Sequence, residues 1–172
     1  MNQTEKYFNK KYDFVDKDMH GRDMYIIEKD GKYGVIDHNE NIIIPLIYDD
    51  YLILHKQYII ADKGGKVGLI DFNNNIIIPF EYDGLSICNG NIIADLNGKS
   101  GFINLKNEKL TDFIYTAIQG KKGYENFFAI SNGKWGIIDK NLNVIHDFIF
   151  DDLSCLDDDA ILTNRNGDFL II

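Results

Sequence analysis

The chain has 172 residues, of which 45% are apolar, so it is long enough to bury the core of one domain. Its 27 acidic and 18 basic residues give a formal net charge of −9, which opposes binding to nucleic acids and to anionic membranes. No stretch is apolar enough for a secretory signal or a membrane-spanning segment. The two isolated cysteines, Cys88 and Cys155, fit a reducing compartment. We therefore expect a cytoplasmic protein that binds neither nucleic acid nor membrane.

A seven-residue pattern that begins with glycine and lysine recurs along the chain. It reads Gly-Lys-Tyr-Gly-Val-Ile-Asp from Gly31, and similar segments begin at Gly65, Gly98 and Gly133, with a degraded copy at Gly167. Successive anchor glycines are 34, 33, 35 and 34 residues apart. A fixed period of this size is typical of repeat proteins, in which each unit buries its apolar side against the next. The sequence therefore predicts a single repeat domain over residues 1–172.

Each repeat contains four short pieces, taken here in chain order. An apolar stretch precedes an Asp-Gly, Gly-Gly or Asn-Gly dipeptide, which type I′ hairpin turns favour. The glycine-lysine segment follows, then an asparagine-rich turn, a β-branched stretch, and a last piece that usually opens with an aromatic residue and Asp. No stretch of the sequence combines helical periodicity with helix caps. We predict an all-β fold of tandem antiparallel β-meanders, four recognisable copies plus a partial fifth, with helix nearly absent.

A second glycine recurs inside the predicted strand of each motif, where glycine destabilises by about 0.5–1 kcal/mol relative to alanine. Its recurrence implies that the strand bulges there, or that an aromatic ring lies flat against the bare backbone. The aromatic residues that open the fourth piece are our candidates for this ring, and such rings would also join one repeat to the next. We assign these structural roles to Gly34, Gly68, Gly101, Trp135, Gly136, Tyr48, Tyr82, Tyr115 and Phe150.

The fourth copy carries a family resemblance. Its Gly-Lys-Trp-Gly-Ile-Ile-Asp segment, followed by Asn143-Val144-Ile145, resembles the WG (KWG) repeat found in many bacterial proteins. The first two copies are similar, with Tyr33 and Val67 in place of the tryptophan. The resemblance covers roughly residues 12–172 and implies a β-repeat scaffold, without a shared activity or shared catalytic residues. The third copy departs most, with Ser100, Lys109 and Thr116 at motif positions.

Two overall arrangements fit such an array. The chain begins and stops in mid-unit, at Tyr12–Val15 and Gly167–Ile172, so its ends could share a unit and close a five-bladed ring like that of a β-propeller. Units of this size, however, are small for four-stranded blades. We expect an open or nearly closed twisted array and keep the closed ring as the alternative.

The asparagine-rich turns repeat the pattern Asp-x-Asn-x-Asn, beginning at Asp37, Asp71 and Asp139. The pattern resembles the first half of a calcium loop, but a β-branched residue stands at the sixth position and an aromatic residue at the twelfth, where an EF-hand needs glycine and glutamate. We therefore predict Asx-type turns, in which these side chains bond their own backbone. No histidine or cysteine pair has metal-ligand spacing, so we predict no metal site and no cofactor.

Two charged features are candidates for contact with a partner. The lysine that follows each anchor glycine (Lys32, Lys66, Lys99, Lys134) would form a row of cations, for which we favour protection of sheet edges over ligand binding. Acidic residues are densest near the end of the chain, and this segment is the best candidate for docking a basic protein. The candidate partner-binding residues are Asp151, Asp152, Asp157, Asp158 and Asp159.

No catalytic or phosphate-binding motif occurs in the sequence. A small acidic repeat protein without such motifs favours a non-enzymatic protein-interaction module that uses a rigid acidic surface, as immunity proteins, inhibitors and assembly scaffolds do. Its partner is expected to be another protein, with a basic surface. The alternative is a lectin-like protein, a metal- or small-ligand-binding protein or an enzyme, with a site in a central cleft built from polar groups of several repeats.

Overall fold

The computed structural model of the chain describes residues 3–18, 21–120, 124–156, 159–164, 167 and 169–171. These residues form short antiparallel β-strands and one six-residue helix, α1 (Gln3–Phe8). The prediction of an all-β fold of tandem meanders is confirmed. The chain divides into two compact units, Met1–Leu85 and Ser86–Ile172. A single domain, and the choice between an open array and a closed ring, stay predictions.

The first unit contains α1 and two four-stranded sheets, in which spatial order equals chain order. The first sheet consists of β1 (Phe14–Lys17), β2 (Met24–Lys29), β3 (Lys32–Asp37) and β4 (Ile42–Tyr48). The second sheet consists of β5 (Ile53–His55), β6 (Tyr58–Asp62), β7 (Val67–Asp71) and β8 (Ile76–Tyr82). Units of this length, which we considered small for four-stranded blades, do hold four-stranded sheets, because strands of 3–7 residues joined by tight turns fit within them.

The second unit contains the remaining sheets that the structure describes, with β9 beginning at the boundary between the units. The third sheet consists of β9 (Gly84–Cys88), β10 (Asn91–Leu96) and β11 (Lys99–Ile103). The fourth consists of β12 (Ala117–Gly120), β13 (Phe127–Ser131), β14 (Lys134–Ile138) and β15 (Val144–Phe150). The fifth consists of β16 (Asp152–Leu156), β17 (Asp159–Thr163) and β18 (Phe169–Ile171). In the third sheet, isolated bridges from Ser100 to Tyr115 and from Ile103 to Lys109 stand where the fourth strand would be.

The turns follow the predicted chemistry. Asp30 and Gly31 have φ angles of 53° and 71°, and positive φ recurs at both central residues of the Gly64-Gly65, Asn97-Gly98 and Asn132-Gly133 turns, as type I′ hairpins require. In the asparagine-rich turn, the Asp37 carboxylate accepts hydrogen bonds from the backbone N–H groups of Asn39 and Asn41, both 2.8 Å long. The same bonds form at Asp71 and Asp139. The predicted Asx turns are therefore confirmed.

The second glycine of the first, second and fourth motifs lies at a β-bulge. The register between β7 and β8 shifts on both sides of Leu69, so that Val67 pairs with Tyr82 while Leu69 pairs with Ile78. The residue opposite Gly68 is therefore Phe80, whose ring would lie 2.9 Å from a Cβ added to that glycine. Phe113 and Phe148 take the same place beside Gly101 and Gly136. Our choice of Tyr82, Tyr115 and Phe150 as this ring was wrong by two residues, and our choice of Tyr48 was wrong because the nearest atoms to a Cβ at Gly34 belong to the backbone of Ile44, Pro45 and Leu46.

Aromatic side chains do join successive sheets within each unit. Tyr48 is buried at the end of the first sheet, and its hydroxyl donates a 2.5 Å hydrogen bond to the Asn74 side-chain oxygen in the second. Its ring lies 5.9 Å from that of Phe80. The ring centre of Tyr115 similarly lies 5.6 Å from that of Phe148 in the fourth sheet. The core of each unit is thus formed where neighbouring sheets meet.

Candidate functional site

Three of the repeated lysines form ion pairs with an aspartate in the fourth piece of the same repeat. Lys32 pairs with Asp49, and Lys66 and Lys134 pair with Asp83 and Asp151, both at 2.6 Å. Each acid is the Asp that follows the fourth-piece aromatic residue. Edge protection, the preferred interpretation, was wrong for Lys32 and Lys134, because β3 and β14 have neighbouring strands on both sides, and Lys66 directly precedes β7, which is flanked in the same way. Lys99 starts β11, an edge strand of the third sheet, so the interpretation stays a prediction there. In the third copy Thr116 replaces the acid.

The aspartate in this pair also forms hydrogen bonds with the next sheet. The Asp49 backbone N–H donates to the Asp62 carbonyl at 3.0 Å, and its carboxylate accepts a 2.6 Å bond from the backbone N–H of Gly64. The hydrogen bond from Lys32 is the main cause that lowers the pKa of Asp49. Asp151 repeats the backbone contact, with its N–H 2.7 Å from the Thr163 carbonyl. These lysines and acids therefore stabilise the scaffold and are not a free cation row.

The acidic segment proposed as a docking site is placed only in part. The Asp151 carboxylate pairs with Lys134, and the Asp152 carboxylate accepts a 2.9 Å bond from the backbone N–H of Leu153. Asp159 begins β17. Asp157 and Asp158 lie outside the described residues. Partner binding by this segment stays a prediction.

An exposed aliphatic side chain occupies the same position at the start of the last strand in three sheets. Ile42, Ile76 and Val144 are 69%, 61% and 47% exposed. Each stands opposite a buried isoleucine of the neighbouring strand: Ile36, Ile70 and Ile138. The strands that carry them, β4, β8 and β15, are edge strands of their sheets. In the third copy Lys109 takes this position, opposite Ile103.

Three aromatic rings meet beside a carboxylate where the first two sheets adjoin. The ring centres of Phe14, Tyr33 and Tyr51 lie 6.0–6.3 Å from one another. The Tyr51 hydroxyl donates a 2.7 Å hydrogen bond to the Asp16 carboxylate. Desolvation, together with this bond and the charges of Asp16 and Asp18, raises the pKa of Tyr51 to about 12. A cavity of about 190 Å³ opens beside Asp16 and Tyr51, with Ile26 and Leu54 among its walls.

The corresponding position between the third and fourth sheets is hollow. Ser100 stands where the first and fourth copies have Tyr33 and Trp135, and a cavity of about 310 Å³ lies beside it. The Ser100 hydroxyl is buried and donates a 2.5 Å hydrogen bond to the Asp95 carboxylate. Ser86 and Thr116 add hydroxyl groups, while Ile93 and Ile118 supply apolar walls.

Sequence reasoning missed the aromatic group and both cavities. The sequence signal for these features is the third residue of the motif, which varies from tyrosine to valine, serine and tryptophan in successive copies. Within the described ranges, no group of three or more His, Cys, Asp or Glu side chains could hold a metal ion. In that same part of the chain, no helix has the length and apolarity needed to cross a membrane. Cys88 is a half-buried free thiol, and burial raises its pKa.

A family model described as "WG containing repeat" matches residues 33–66, 68–99 and 135–169. The chain belongs to the WG repeat family. This confirms the resemblance seen in its glycine-lysine motifs. A comparison with curated proteins found no match.

Several solved structures are similar to this WG repeat protein. Kluyveromyces lactis Hsv2 is 11% identical with a TM-score of 0.52, over 90% of this chain and 60% of Hsv2. A form of KlHsv2 with loop 6CD replaced by a Gly-Ser linker is 12% identical with a TM-score of 0.54, over 88% of this chain and 61% of that one. The computationally designed Ika4 protein is 12% identical with a TM-score of 0.41, over 70% of this chain and 88% of Ika4. The chain spans about three fifths of the Hsv2 chains, and the two Hsv2 likenesses show the β-propeller-like repeat fold alone.

Proposed function

We propose that this WG repeat protein is a non-enzymatic protein-interaction module, acting in the cytoplasm, whose partner carries a basic surface next to an apolar contact. The observation that carries the proposal is the recurrent exposed aliphatic side chain on the edge strands β4, β8 and β15. Exposed apolar edge strands invite unwanted pairing, and proteins commonly protect them with charges. Apolar side chains kept at one position in three of the four repeats are therefore better explained by contact with a partner that covers them.

The charge of the protein supports a basic partner. The net charge is −9, while Lys32, Lys66 and Lys134 are already paired with acids of the scaffold. The negative field that remains would speed the approach of a positively charged protein and would weaken as salt screens it. The aliphatic residues would then supply the apolar contact that charge alone does not give.

The first experiment compares capture of partners by the wild type and by a variant that carries Ile42→Ser and Ile76→Ser. Tagged proteins are incubated with a lysate at low and high salt, and retained proteins are quantified by mass spectrometry. We expect a basic protein that the wild type retains at low salt, and that the variant retains at least tenfold less. The matched control carries Leu105→Ser and Leu110→Ser, two exposed leucines outside the repeated position. A partner that both variants retain equally would contradict the proposal.

The acidic segment is tested separately, on the association rate with that partner. Replacing Asp157, Asp158 and Asp159 by asparagine should slow association and flatten its salt dependence, because electrostatic attraction acts mainly on the rate of encounter. Asp112→Asn provides a single-charge control at an exposed site. Unchanged rates and an unchanged salt slope would remove this segment from the interface.

The 310 Å³ cavity beside Ser100 favours a second candidate function, the binding of a small hydroxylated ligand. Its polar lining combines the hydroxyls of Ser86, Ser100 and Thr116 with the carboxylate of Asp95, a set that can donate to and accept from sugar hydroxyls. The test is a thermal-shift screen of monosaccharides against the wild type and Ser100→Tyr, which refills the cavity. A stabilisation seen with the wild type and lost in the variant would support this candidate, and no stabilisation would reject it.

A further inference from the structure

One face of β1 presents an aromatic ring and a carboxylate at the junction of the first two sheets, and a second carboxylate, Asp18, directly follows the strand. Side chains alternate between the faces of a strand, so Phe14 and Asp16 share a face, whereas Lys17 points to the other face. Consistent with this, the Lys17 ammonium lies 5.8 Å from the centre of the Tyr25 ring. The ring of Phe14 and the hydroxyl contact of Asp16 both meet Tyr51. This face is therefore aromatic and acidic at once.

The two carboxylates differ in what neutralises them. Asp18 is almost fully buried and pairs with the Arg22 guanidinium at 2.6 Å. Asp16 is half-buried, and its recorded hydrogen bond comes from the neutral hydroxyl of Tyr51. Among the contacts that the structure describes, none brings a cation to Asp16. An uncompensated negative charge thus remains beside the three rings.

The rings are available to a partner. Phe14 is 38% exposed and Tyr51 is 39% exposed, and Tyr33 is half-buried between them. Ring faces carry negative electrostatic potential, which attracts cations. Clustered aromatic side chains are also enriched among the residues that contribute most to protein binding.

The same unit shows this chemistry within its own chain. The Arg22 guanidinium that pairs with Asp18 also lies 4.6 Å from the centre of the Phe72 ring. A carboxylate and an aromatic ring thus hold one guanidinium between the first two sheets. Asp16 and the rings beside it also place a carboxylate next to aromatic rings, but no cation is bound between them in the described contacts.

We infer that Phe14, Tyr33, Tyr51 and Asp16 form a docking site for a cationic side chain, arginine or lysine, of the basic partner. This inference rests on the proposed function and adds the chemistry of one contact. The cation lies against the ring faces and pairs with the Asp16 carboxylate, which is favoured because charge-assisted hydrogen bonds and cation–π contacts reinforce each other here. The methylene stem of the side chain packs against the apolar walls of the adjoining cavity, Ile53 and Leu54.

The site is tested with an N-acetylated tetra-arginine amide peptide and, as a neutral mimic of the same shape, N-acetylated tetra-citrulline amide. Binding to the full chain is followed by two-dimensional NMR titration at low salt. We expect tetra-arginine to shift the resonances of the three rings and of Asp16, and tetra-citrulline to leave them in place. Asp16→Asn should weaken binding about tenfold and Tyr51→Leu about threefold.

Two control variants separate the site from general electrostatics. Asp112→Asn matches the charge change of Asp16→Asn at an exposed residue of the other unit, and Tyr7→Leu removes an exposed ring outside the aromatic group. Both should bind tetra-arginine as the wild type does. Equal weakening by Asp16→Asn and Asp112→Asn, or equal binding of the two peptides, would overturn the site. Loss of partner capture in the Ile42 and Ile76 variant without tetra-arginine binding would reject this site while leaving the proposed function standing.

Discussion

The four motif glycines are not equivalent, and this difference gives the sharpest prediction about the scaffold. A Cβ at Gly34 would meet three backbone atoms, the nearest being the Ile44 carbonyl oxygen at 2.7 Å. A Cβ at Gly101 would instead meet only ring atoms of Phe113 as its three nearest neighbours, from 2.8 Å. Backbone in a sheet cannot move without breaking hydrogen bonds, whereas a side chain can be shortened. Gly34→Ala should therefore destabilise the protein by about 2–3 kcal/mol, typical of overpacking.

The assay is urea unfolding followed by far-ultraviolet circular dichroism, with the slopes compared to confirm that the same surface unfolds in every variant. Gly101→Ala should also destabilise, but adding Phe113→Leu should recover about 1 kcal/mol or more of that loss relative to the sum of the single changes. The matched control is Gly34→Ala with Leu46→Ala, which should show no recovery, because Leu46 contributes a backbone atom to the contact. Recovery in the control, or a Gly34→Ala cost below about 0.5 kcal/mol, would refute this reasoning.

Three further predictions concern the joints, the turns and the overall shape. Tyr48→Phe removes the hydrogen bond to Asn74 and should cost about 1 kcal/mol in urea unfolding, whereas Tyr58→Phe, at a half-buried tyrosine that starts β6, provides the control. Hydrogen bonds from Asn41, Asn75 and Asn143 lower the pKa values of the turn aspartates below 3.8. The ionised aspartates therefore stabilise the folded protein above pH 3.8, and this stabilisation is lost as the pH falls through the lowered pKa values. A variant with asparagine at all three positions (Asp37, Asp71, Asp139), as Asn104 already stands in the third copy, should flatten acid unfolding in that range; an unchanged acid-unfolding curve would contradict this. Small-angle X-ray scattering should give a profile of an open or nearly closed array, and a maximum dimension as short as that of a compact five-bladed ring would contradict that expectation.

The local structure could be predicted from the sequence because each signal lies within a few neighbouring residues. The Asn97-Gly98 and Asn132-Gly133 dipeptides specify type I′ turns, and Asp-x-Asn-x-Asn specifies the Asx turns. The Asn89-Gly90 turn between β9 and β10, with φ of 51° and 80°, carries the same signal and could have been recognised. We overlooked this turn signal because the dipeptide falls outside the repeated motif.

What could not be predicted depends on pairing between strands distant in the sequence. The register moves by two residues between Val67 and Leu69, and this places Phe80 rather than Tyr82 beside Gly68. The partners of the repeated lysines lie 17 residues away in the next piece of chain, so spacing within the motif does not reveal them. The aromatic group requires β1, β3 and the segment before β5 to meet, and only the folded chain brings these together.

The first sheet shows how the scaffold covers a sheet that follows no other sheet among the described residues. Tyr12 and Asp13 contact the first sheet in the same way as Tyr48 and Asp49 contact the second. The Asp13 backbone N–H donates a 2.9 Å hydrogen bond to the Glu28 carbonyl, and the Tyr12 hydroxyl donates a 3.3 Å hydrogen bond to the Glu40 carboxylate.

The residues before this pair form a helix instead of a strand. Phe8 of α1 is buried against Tyr25, Ile27 and Ile36. The residues at the same motif positions in the second repeat are Ile59, Ala61 and Ile70. These three pack against the preceding sheet. The helix thus supplies to the first sheet the apolar contact that a neighbouring sheet supplies elsewhere. Since a repeat cannot bury its apolar face alone, α1 is part of the folding unit of the first sheet, although its sequence contains no trace of the repeat.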